Sequence, residues 1–227
     1  TMKKSINIVI TGGCSGLGGA IVDNLRKTSC LLTVIGRRPP KKDTGNDIQF
    51  IELDLSEDIS GWKYCVNDTE SKLVFISNAG VIEPIGLTNE LDRKALEKNH
   101  NVNFYSPILI ATELSKKAKI HNIDLHIVNI STGAAVRSIP TWAAYCSSKA
   151  AAKIFLDCLG DEEEHVQVEH IDPGVLNTAM QNEIRKSEIE TRYGNRYFSN
   201  LKETGGLLEP AIAAHKIINT LIREKIL

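Results

Sequence analysis

The chain has 227 residues, of which 42% are hydrophobic, and carries a formal net charge of −1 with a pI of about 6.6. This length favours one domain with a sizeable core over two small domains. The near-neutral balance gives no basic surface of the kind that nucleic acids or anionic membranes attract. We therefore expect a small-molecule partner, with no nucleic acid and no membrane.

Cysteine and histidine usage indicates the compartment. The five cysteines are odd in number and contain no CxxC pair, which argues against both a disulfide framework and a structural zinc site. The six histidines show no metal-ligand spacing, so no metal is expected. The first apolar run is too short for a signal-peptide core, and no stretch approaches the roughly 20 apolar residues of a membrane span. These features predict a cytoplasmic protein.

Short apolar runs alternate with polar or helical stretches along the whole chain. The runs predicted as strands are residues 6–10, 31–35, 48–53, 73–77, 125–130 and 166–171. Helical periodicity is predicted over residues 18–27, 92–119, 142–159 and 210–224. The acidic run at 161–164 is interpreted as a solvated loop with no role. The alternation predicts a single α/β domain over 1–227, with a doubly wound parallel sheet of at least six strands and helices on both faces.

A glycine-rich turn, Thr11-Gly12-Gly13-Cys14-Ser15-Gly16-Leu17-Gly18, follows the first predicted strand. Glycines between a strand and a helix let a pyrophosphate approach backbone N–H groups and the positive end of the helix dipole. The alternative is a tight turn that needs glycine only for backbone reasons. The strand before it and the helix after it favour nucleotide binding. We expect cofactor contacts from Gly12, Ser15, Gly16, Leu17 and Gly18.

The second predicted strand ends in Gly36-Arg37-Arg38, where an NAD-selective site would place a carboxylate against the ribose 2′-hydroxyl. A guanidinium binds a 2′-phosphate and a carboxylate repels it, so Arg37 and Arg38 favour NADP(H). The alternative is two surface arginines before a loop. Asp54 and Leu55 follow the third strand, and Asp54 either accepts from the adenine amine or caps a helix after it.

Tyr145 and Lys149 stand four residues apart within a predicted helix, so they share one face and affect each other's protonation. We expect the lysine, together with the positively charged nicotinamide of an oxidised cofactor, to lower the pKa of the tyrosine, which then gives or takes a proton near neutral pH. Each residue alone is also typical of an ordinary helix, and Ser131 alone of a strand-end cap. Cys146 is interpreted as a buried structural residue because no histidine is placed as its base.

The pattern as a whole resembles the short-chain dehydrogenase/reductase family, over essentially the whole chain. The TGxxxGxG turn of that family corresponds to residues 11–18, and its acidic adenine-contact position corresponds to Asp54. Further cofactor positions that the resemblance implies are Asn78, Ala79, Gly80, Pro173, Gly174, Val175 and Thr178. The resemblance implies a Rossmann-like fold that binds NADP(H).

The resemblance also implies a catalytic tetrad of Asn103, Ser131, Tyr145 and Lys149. In such a site the nicotinamide gives a hydride, Tyr145 protonates the developing alkoxide, and Ser131 holds the carbonyl oxygen. Lys149 would also bind the nicotinamide ribose, and Tyr145 would contact the cofactor as well. Asn103 would hold a water that links the lysine to solvent.

Within the family, residues 78–85 and 173–181 are most similar to the sepiapterin reductase and benzil reductase group. Trp142 shares this similarity and is interpreted either as an aromatic wall for a flat substrate or as a core or interface tryptophan. Residues 178–206, which include Met180, Tyr193, Tyr197 and Phe198, lie where the family carries its substrate-binding helices. We expect them to form a lid region that contacts the substrate through Met180.

Two departures from the family pattern bear on assembly and cofactor choice. Family members usually continue past the helix at 210–224 into a last strand, whereas this chain ends at Leu227. Because that strand often helps to build a subunit interface, a tetramer remains only an alternative. We expect a homodimer through the helices that carry Asn103 and Tyr145. Ser15 stands where many NADP-using relatives have a basic residue, so the NADP(H) prediction rests on Arg37 and Arg38.

The expected function is NADPH-dependent reduction of a small ketone or 1,2-dicarbonyl of the benzil or sepiapterin type. A reductase of another substrate class, such as a 3-oxoacyl thioester or a sugar, is one alternative. A non-catalytic NADP-sensing protein is the alternative outside the enzymes. The complete tetrad argues against a sensor, because a sensor needs only the cofactor half of the site.

Overall fold

Six parallel strands form one sheet in the computed structural model, which describes residues 5–40, 48–66, 70–187, 200 and 203–227. The strands are β1 (Ser5–Thr11), β2 (Leu31–Gly36), β3 (Ile48–Glu52), β4 (Glu70–Ser77), β5 (Asp124–Ile130) and β6 (Val166–Ile171). Their spatial order is β3-β2-β1-β4-β5-β6, with every neighbouring pair parallel. The predicted doubly wound α/β fold is confirmed.

Helices cover both faces of this sheet. They are α1 (Gly16–Leu25), α2 (Arg93–His100), α3 (Ser106–His121), α4 (Ala143–Glu162), α5 (Ala179–Lys186) and α6 (Pro210–Arg223). Successive side chains of a strand point to opposite faces. Ile8 and Ile10 of β1 accordingly pack with α1 and α6, whereas Val9 packs with α3. Burial on both faces explains why the strands are almost continuously apolar.

The helix predicted over 92–119 is divided into three parts. Between α2 and α3 lies a π-helical turn, Asn101–Tyr105, in which the Ser106 N–H donates to the Asn101 carbonyl. Periodicity alone does not reveal such a turn, because apolar positions before and after it still fall on roughly one face. The turn contains Asn103 and therefore belongs to the candidate site.

Two other predictions on the chain's organisation need comment. The acidic run at 161–164 is not entirely loop, because α4 continues through Glu162. Glu163, just after the helix, accepts from Lys119 at 2.8 Å and so ties the end of α4 to α3. No helix in the described part of the chain is long and apolar enough to cross a membrane.

The predicted lid region, residues 178–206, is described in part. Its first half contains α5, while residues 188–199 and 201–202, with Tyr193, Tyr197 and Phe198, lie outside the described residues. Beyond them, Leu208 forms a parallel bridge with Leu176, and its N–H donates to the Val175 carbonyl at 2.9 Å. The chain thus returns to the place where it left the sheet.

The strand order reverses between β1 and β4, the two central strands of the sheet. Because these strands are parallel, their carboxyl ends lie side by side. In open parallel sheets, ligands bind outside the carboxyl ends of the strands at such a reversal. Thr11 ends β1 and Ser77 ends β4. The segments that follow these two residues are therefore where the fold predicts a ligand site.

Candidate active site

Asn78 and Thr11 join the segments that follow β1 and β4. The Asn78 amide donates to the carbonyls of Thr11 and Gly12, at 3.0 and 3.2 Å. In return the Thr11 hydroxyl accepts from the N–H groups of Asn78 and Ala79, at 3.1 and 3.2 Å. These four bonds fix the glycine turn against the end of β4.

The glycines of the turn differ in what they do. A Cβ atom on Gly18 would lie 2.2 Å from the Gly12 carbonyl oxygen, so α1 packs on the turn with no room for a side chain. Gly12 has a φ of 68°, and a Cβ there would lie 3.0 Å from the Ala79 Cα. Gly16, with a φ of 55°, has Thr178 at 3.7 Å as its nearest neighbour. Gly12 and Gly18 are thus required by close packing, whereas a Cβ on Gly16 would make only an ordinary van der Waals contact with Thr178.

The N-terminus of α1 fits a phosphate group. Ser15 precedes the helix, and its side chain makes no capping bond to any described residue. The first turn holds no acidic residue, so its N–H groups and the helix dipole remain available to an anion. Leu17 is buried in the core, which leaves only its backbone for such a contact. Because Gly16 borders Thr178, the end of the segment 173–178 lies beside this helix end.

Arg37 and Arg38 form an exposed bend after β2. The Cys14 thiol, in the glycine turn, donates a hydrogen bond to the Arg38 carbonyl. The Cys14 sulfur also lies 3.1 Å from where a Gly36 Cβ would stand. The structure therefore brings the arginine bend and the glycine turn together.

Asp54 lies after β3, close enough to Arg37 for that charge to affect it. Its carboxylate accepts from the Ser56 N–H and the Ser56 hydroxyl, at 2.9 and 2.8 Å. The backbone bond from Ser56 is the main cause that lowers the pKa of Asp54, and the Arg37 charge adds to it. The predicted helix cap is wrong, because residues 55–57 form a turn. Leu55 is a core residue whose carbonyl accepts from Ser106 at 2.8 Å.

Tyr145 and Lys149 are both buried on one face of α4, with 8% and 6% of their surface exposed. The Lys149 ammonium donates to the carbonyl of Ile130, the last residue of β5, at 3.1 Å. Ser131 follows directly, and its N–H donates to the Ile171 carbonyl at 2.8 Å. The structure thus places three of the four predicted tetrad residues around the carboxyl end of β5.

Burial dominates the protonation of this pair. It raises the pKa of Tyr145 to about 12, against the opposing effect of a hydrogen bond from Thr132. Burial also lowers the pKa of Lys149 to about 8. The prediction that Lys149 lowers the pKa of Tyr145 is therefore wrong. Desolvation outweighs the other effects on the phenol, and Lys149 is not among the described groups that shift it.

Asn103, the fourth predicted tetrad residue, is buried beside Gly80, where a Cβ would lie 3.2 Å from its Oδ1 and 3.8 Å from the Lys149 Nζ. Its Oδ1 accepts from the Val81 N–H at 3.0 Å. Its Nδ2 donates to the Val81 carbonyl at 2.8 Å and to Asn99 Oδ1 at 3.0 Å. Both amide N–H groups are used inside the protein, and one lone pair of Oδ1 remains.

Asn99 and Ser148 complete this network, and sequence reasoning missed both. Asn99 donates to the Glu83 carbonyl at 2.7 Å and accepts from the Ser148 hydroxyl at 2.9 Å. Both residues are fully buried. Asn99 stands four residues before Asn103, a spacing that puts the two amides on one helix face and could have identified it.

An apolar cluster borders the tyrosine on the other side. Its buried members are Ile82, Ala134, Trp142, Tyr145 and Ile184, and Met180 and Val175 pack against them. The Trp142 ring meets the Tyr145 ring edge to face, with centroids 6.1 Å apart. Pro173 and Gly174 lead into this cluster through a turn in which the Gly174 N–H donates to Asp172 at 2.9 Å. Trp142 and Met180 therefore both belong to the apolar cluster that borders Tyr145.

These features agree with the comparisons to known proteins. The family model "short chain dehydrogenase" matches residues 6–189. The chain belongs to the short-chain dehydrogenase family. Like other members, this short-chain dehydrogenase is an oxidoreductase that acts on alcohol and carbonyl groups, and the family binds a nicotinamide cofactor.

Its similarity to individual members extends over nearly the whole chain. It is 30% identical to a benzil reductase ((S)-benzoin forming) from Bacillus cereus, over 96% of this chain and 94% of that protein. It is 26% identical to sepiapterin reductase from Xenopus tropicalis, over 96% and 91%. The solved structure of the KRED1-Pglu enzyme has the same fold, with a TM-score of 0.81, 24% identity and coverage of 96% and 95%. The resemblance to the benzil and sepiapterin reductase group is thus confirmed.

Proposed function

We propose that this short-chain dehydrogenase is an NADPH-dependent carbonyl reductase that acts on a small ketone or 1,2-dicarbonyl of the benzil or sepiapterin type. The observation that carries the proposal is the burial of Tyr145 and Lys149 on one face of α4, between the helix end that fits a phosphate and an apolar cluster. A hydride donor and a carbonyl substrate can therefore meet beside the phenol.

The cofactor half of the proposed site follows the edge of the sheet. Gly12, Gly16 and Gly18 with residues 78–80 and 173–178 would hold the dinucleotide, which supplies the hydride when bound. Arg37 and Arg38 would bind the 2′-phosphate, since the bend carries two guanidinium groups and no carboxylate. Asp54 keeps a lone pair free of its Ser56 bonds for the adenine amine.

Tyr145 acts as the proton donor in this proposal. A pKa of about 12 keeps the phenol protonated at neutral pH, so it can donate to an alkoxide as that charge develops. Lys149, with a pKa of about 8, is charged at neutral pH and stabilises the phenolate that remains. Ser131 would donate to the same oxygen, a contribution of about 3 kcal/mol in comparable sites. The free lone pair of Asn103 would hold the water for reprotonation.

Trp142 and Met180 would line the substrate, and the lid region would cover it. The aromatic ring of Trp142 already fixes one side of Tyr145, so a flat substrate would stack against apolar surface. The whole chain, 1–227, would act as one domain.

We also propose a homodimer through α3 and α4. These helices and the π-turn before α3 leave large side chains exposed, with 51% of Tyr105 in the turn, 39% of Leu109, 61% of Ile154 and 39% of Phe155 accessible. Phe104 contacts the rings of both Tyr105 and Phe155, so it links the exposed aromatic residues of the π-turn and of α4. Ile154→Glu should convert the dimer to a monomer in sedimentation experiments, whereas Ile222→Glu, on exposed α6, should not.

The five cysteines fit a cytoplasmic location. All are free in the structure, and Cys14 and Cys146 are half-buried with pKa values raised by burial. Such thiols are stable in a reducing compartment.

The activity is tested by following oxidation of NADPH against benzil, sepiapterin, diacetyl and an acetoacetyl thioester, with NADH controls. Turnover of a dicarbonyl with NADPH, lost in Tyr145→Phe while NADPH still binds, is the expected result. Turnover of the thioester alone would replace the proposed substrate class. Tight NADPH binding without turnover of any of the four would overturn the reductase proposal in favour of a sensor.

A further inference from the structure

A single side-chain amide holds the segment that follows β4. The amide nitrogen of Asn99, near the end of α2, donates to the carbonyls of Val81 and Glu83, at 3.3 and 2.7 Å. These two carbonyls flank Ile82, which is fully buried and belongs to the apolar cluster that contains Tyr145. The position of Ile82 in that cluster therefore depends on Asn99.

The amide oxygen of Asn99 is bound by two other parts of the site. It accepts from the Asn103 amide nitrogen at 3.0 Å and from the Ser148 hydroxyl at 2.9 Å. Ser148 lies in α4 between Tyr145 and Lys149. An asparagine amide has two donor hydrogens and two acceptor lone pairs, and Asn99, which is fully buried, uses all four. One side chain thus joins α4, the π-turn and the segment after β4.

The elements that Asn99 joins border one small space beside Gly80. A Cβ on Gly80 would lie 3.2 Å from Asn103 Oδ1 and 3.8 Å from Lys149 Nζ, so both polar groups reach this space. The hydrogen bonds from Ser148 through Asn99 to Asn103 link α4 to the π-turn. They therefore help to fix how far Lys149 stands from Asn103.

We infer that Asn99 is a positioning residue of the proposed reductase, which holds Asn103 and Lys149 at the separation that proton transfer to Tyr145 requires. The inference rests on the proposed function and adds a residue that acts through the tetrad rather than on the substrate. Removal of the amide would take a partner from four buried polar groups, and the segments that carry them would shift. The alternative is a residue that only stabilises the fold.

Asn99→Asp tests the inference because it keeps the size of the side chain and replaces the nitrogen donor by an oxygen. An ionised carboxylate would face the carbonyls of Val81 and Glu83 and repel them. A protonated carboxyl would donate to one of them again. Burial raises the pKa of a carboxylic acid, so we expect the new group to gain its proton within the pH range of the assay. The effect of this substitution on kcat should therefore depend on pH.

The informative quantity is the ratio of kcat between variant and wild type, for the substrate that the wild type reduces fastest. Asn99→Asp should lower kcat about 30-fold near pH 9 and about threefold near pH 6. NADPH affinity should stay within about twofold, because Thr11 and Asn78 hold the cofactor turn independently of Asn99. Asn24→Asp is the matched control, since the Asn24 amide also donates to a carbonyl, that of Ala20 at 2.8 Å. It should leave kcat within about twofold at every pH.

Ser148→Ala keeps the inference testable if Asn99→Asp does not fold. It removes one of the two donors to the Asn99 oxygen and leaves the other, Asn103, in place. We expect kcat to fall about threefold to fivefold, with a ratio to wild type that does not change with pH. In the double variant, the combined loss should be smaller than the product of the single losses, because both substitutions act on one network.

A kcat ratio for Asn99→Asp that is constant from pH 6 to pH 9, whether equal to one or below it, would overturn the inference. If in addition the melting temperature falls, Asn99 is a structural residue. Equal losses of kcat and of NADPH affinity would also contradict it, because the damage would then extend beyond Asn103 and Lys149. Absence of wild-type turnover on the whole earlier panel would instead overturn the proposed function, so the wild-type rates distinguish the two failures.

Discussion

The cofactor side and the substrate side of the site differ in how their polar groups are satisfied. On the cofactor side, Thr11 and Asn78 make four hydrogen bonds with the turn and with each other, and Gly18 leaves no space for even one carbon. On helix α5, whose Met180 and Ile184 pack in the apolar cluster beside Tyr145, Gln181 and Arg185 each keep a buried atom without a partner among the described residues. The polar groups of the first region are thus satisfied within the chain, whereas these two atoms of the second have no partner in the described part of it.

Gly18→Ala, on the cofactor side, should have the largest effect on NADPH affinity and stability. The new methyl would stand 2.2 Å from the Gly12 carbonyl oxygen and 2.4 Å from the Asn78 amide, and both belong to the fixed side of the site. Because one neighbour is backbone and the Asn78 amide is held by two hydrogen bonds to the turn, the turn must move. We expect NADPH affinity to fall more than about 100-fold, with a stability loss of about 1 to 3 kcal/mol. Fluorescence titration with NADPH and thermal unfolding measure the two effects.

Gly19→Ala is the matched control for that change. A Cβ at Gly19 would meet nothing nearer than 3.5 Å, and the position is helical. Alanine there should raise stability by about 0.5 to 1 kcal/mol, because it restricts the unfolded chain. Equal NADPH affinities for the two variants would contradict the view that the turn is rigid.

Lys149→Met should strongly reduce activity and stabilise the fold at neutral pH. We expect a loss of about 100-fold or more in kcat, because the charge that would stabilise the phenolate of Tyr145 is removed. Burial lowers the pKa of Lys149 from 10.5 to about 8, which corresponds to about 3 kcal/mol of destabilisation of the folded state at pH 7. The Ile130 carbonyl loses its donor at about 1 to 2 kcal/mol, so the net gain should be about 1 to 2 kcal/mol.

The stability difference between Lys149→Met and the wild type should depend on pH. In the folded wild type Lys149 releases its proton near pH 8, whereas in the unfolded chain it keeps the proton to about pH 10.5. Wild-type stability should therefore rise across this window, and the advantage of Lys149→Met should shrink. Lys153→Met is the control, since Lys153 is partly exposed and paired with Asp157 at 2.7 Å. An advantage of Lys149→Met that is constant from pH 7 to pH 10.5 would show that burial does not control this lysine.

The sequence was sufficient for the sheet and for the common helix face of Tyr145 and Lys149, since both depend on local patterns. Apolar runs identify buried parallel strands, and a spacing of four identifies Tyr145 with Lys149 as one helix face. The protonation of that pair was not predictable, because the pKa of Tyr145 depends on burial by the cluster around Trp142. The π-turn that contains Asn103 could not be predicted, because it does not change the hydrophobic periodicity of the sequence. The unpartnered atoms of α5 are visible only once the helix is placed.

Arg37→Ala should have an intermediate effect, and it is confined to the cofactor side. Removal of a guanidinium that would bind the 2′-phosphate should weaken NADPH binding about 10- to 100-fold and leave NADH binding nearly unchanged. Arg223→Ala, an exposed arginine at the end of α6, is the control and should affect neither cofactor. Equal losses for NADPH and NADH in Arg37→Ala would remove the basis for NADP preference and return Arg37 to the role of a surface residue.

Trp142→Phe should have the smallest effect, and it is confined to the substrate side. The smaller ring keeps an aromatic edge near Tyr145 but withdraws apolar surface from the cluster. We expect the KM for benzil to rise about threefold to tenfold and the KM for diacetyl to stay within about twofold, because only the larger substrate reaches the lost surface. Steady-state kinetics with both substrates measure this difference.

The same variant distinguishes a substrate wall from a core residue. If Trp142 only supports the core, Trp142→Phe should lower the melting temperature and change kcat for benzil and diacetyl alike, through Tyr145, with both KM values unchanged. If it contacts the substrate, the KM change should follow substrate size, and NADPH affinity should stay at the wild-type value. Because the cofactor side is held by the hydrogen bonds of Thr11 and Asn78, a substitution at Trp142 should not change its structure.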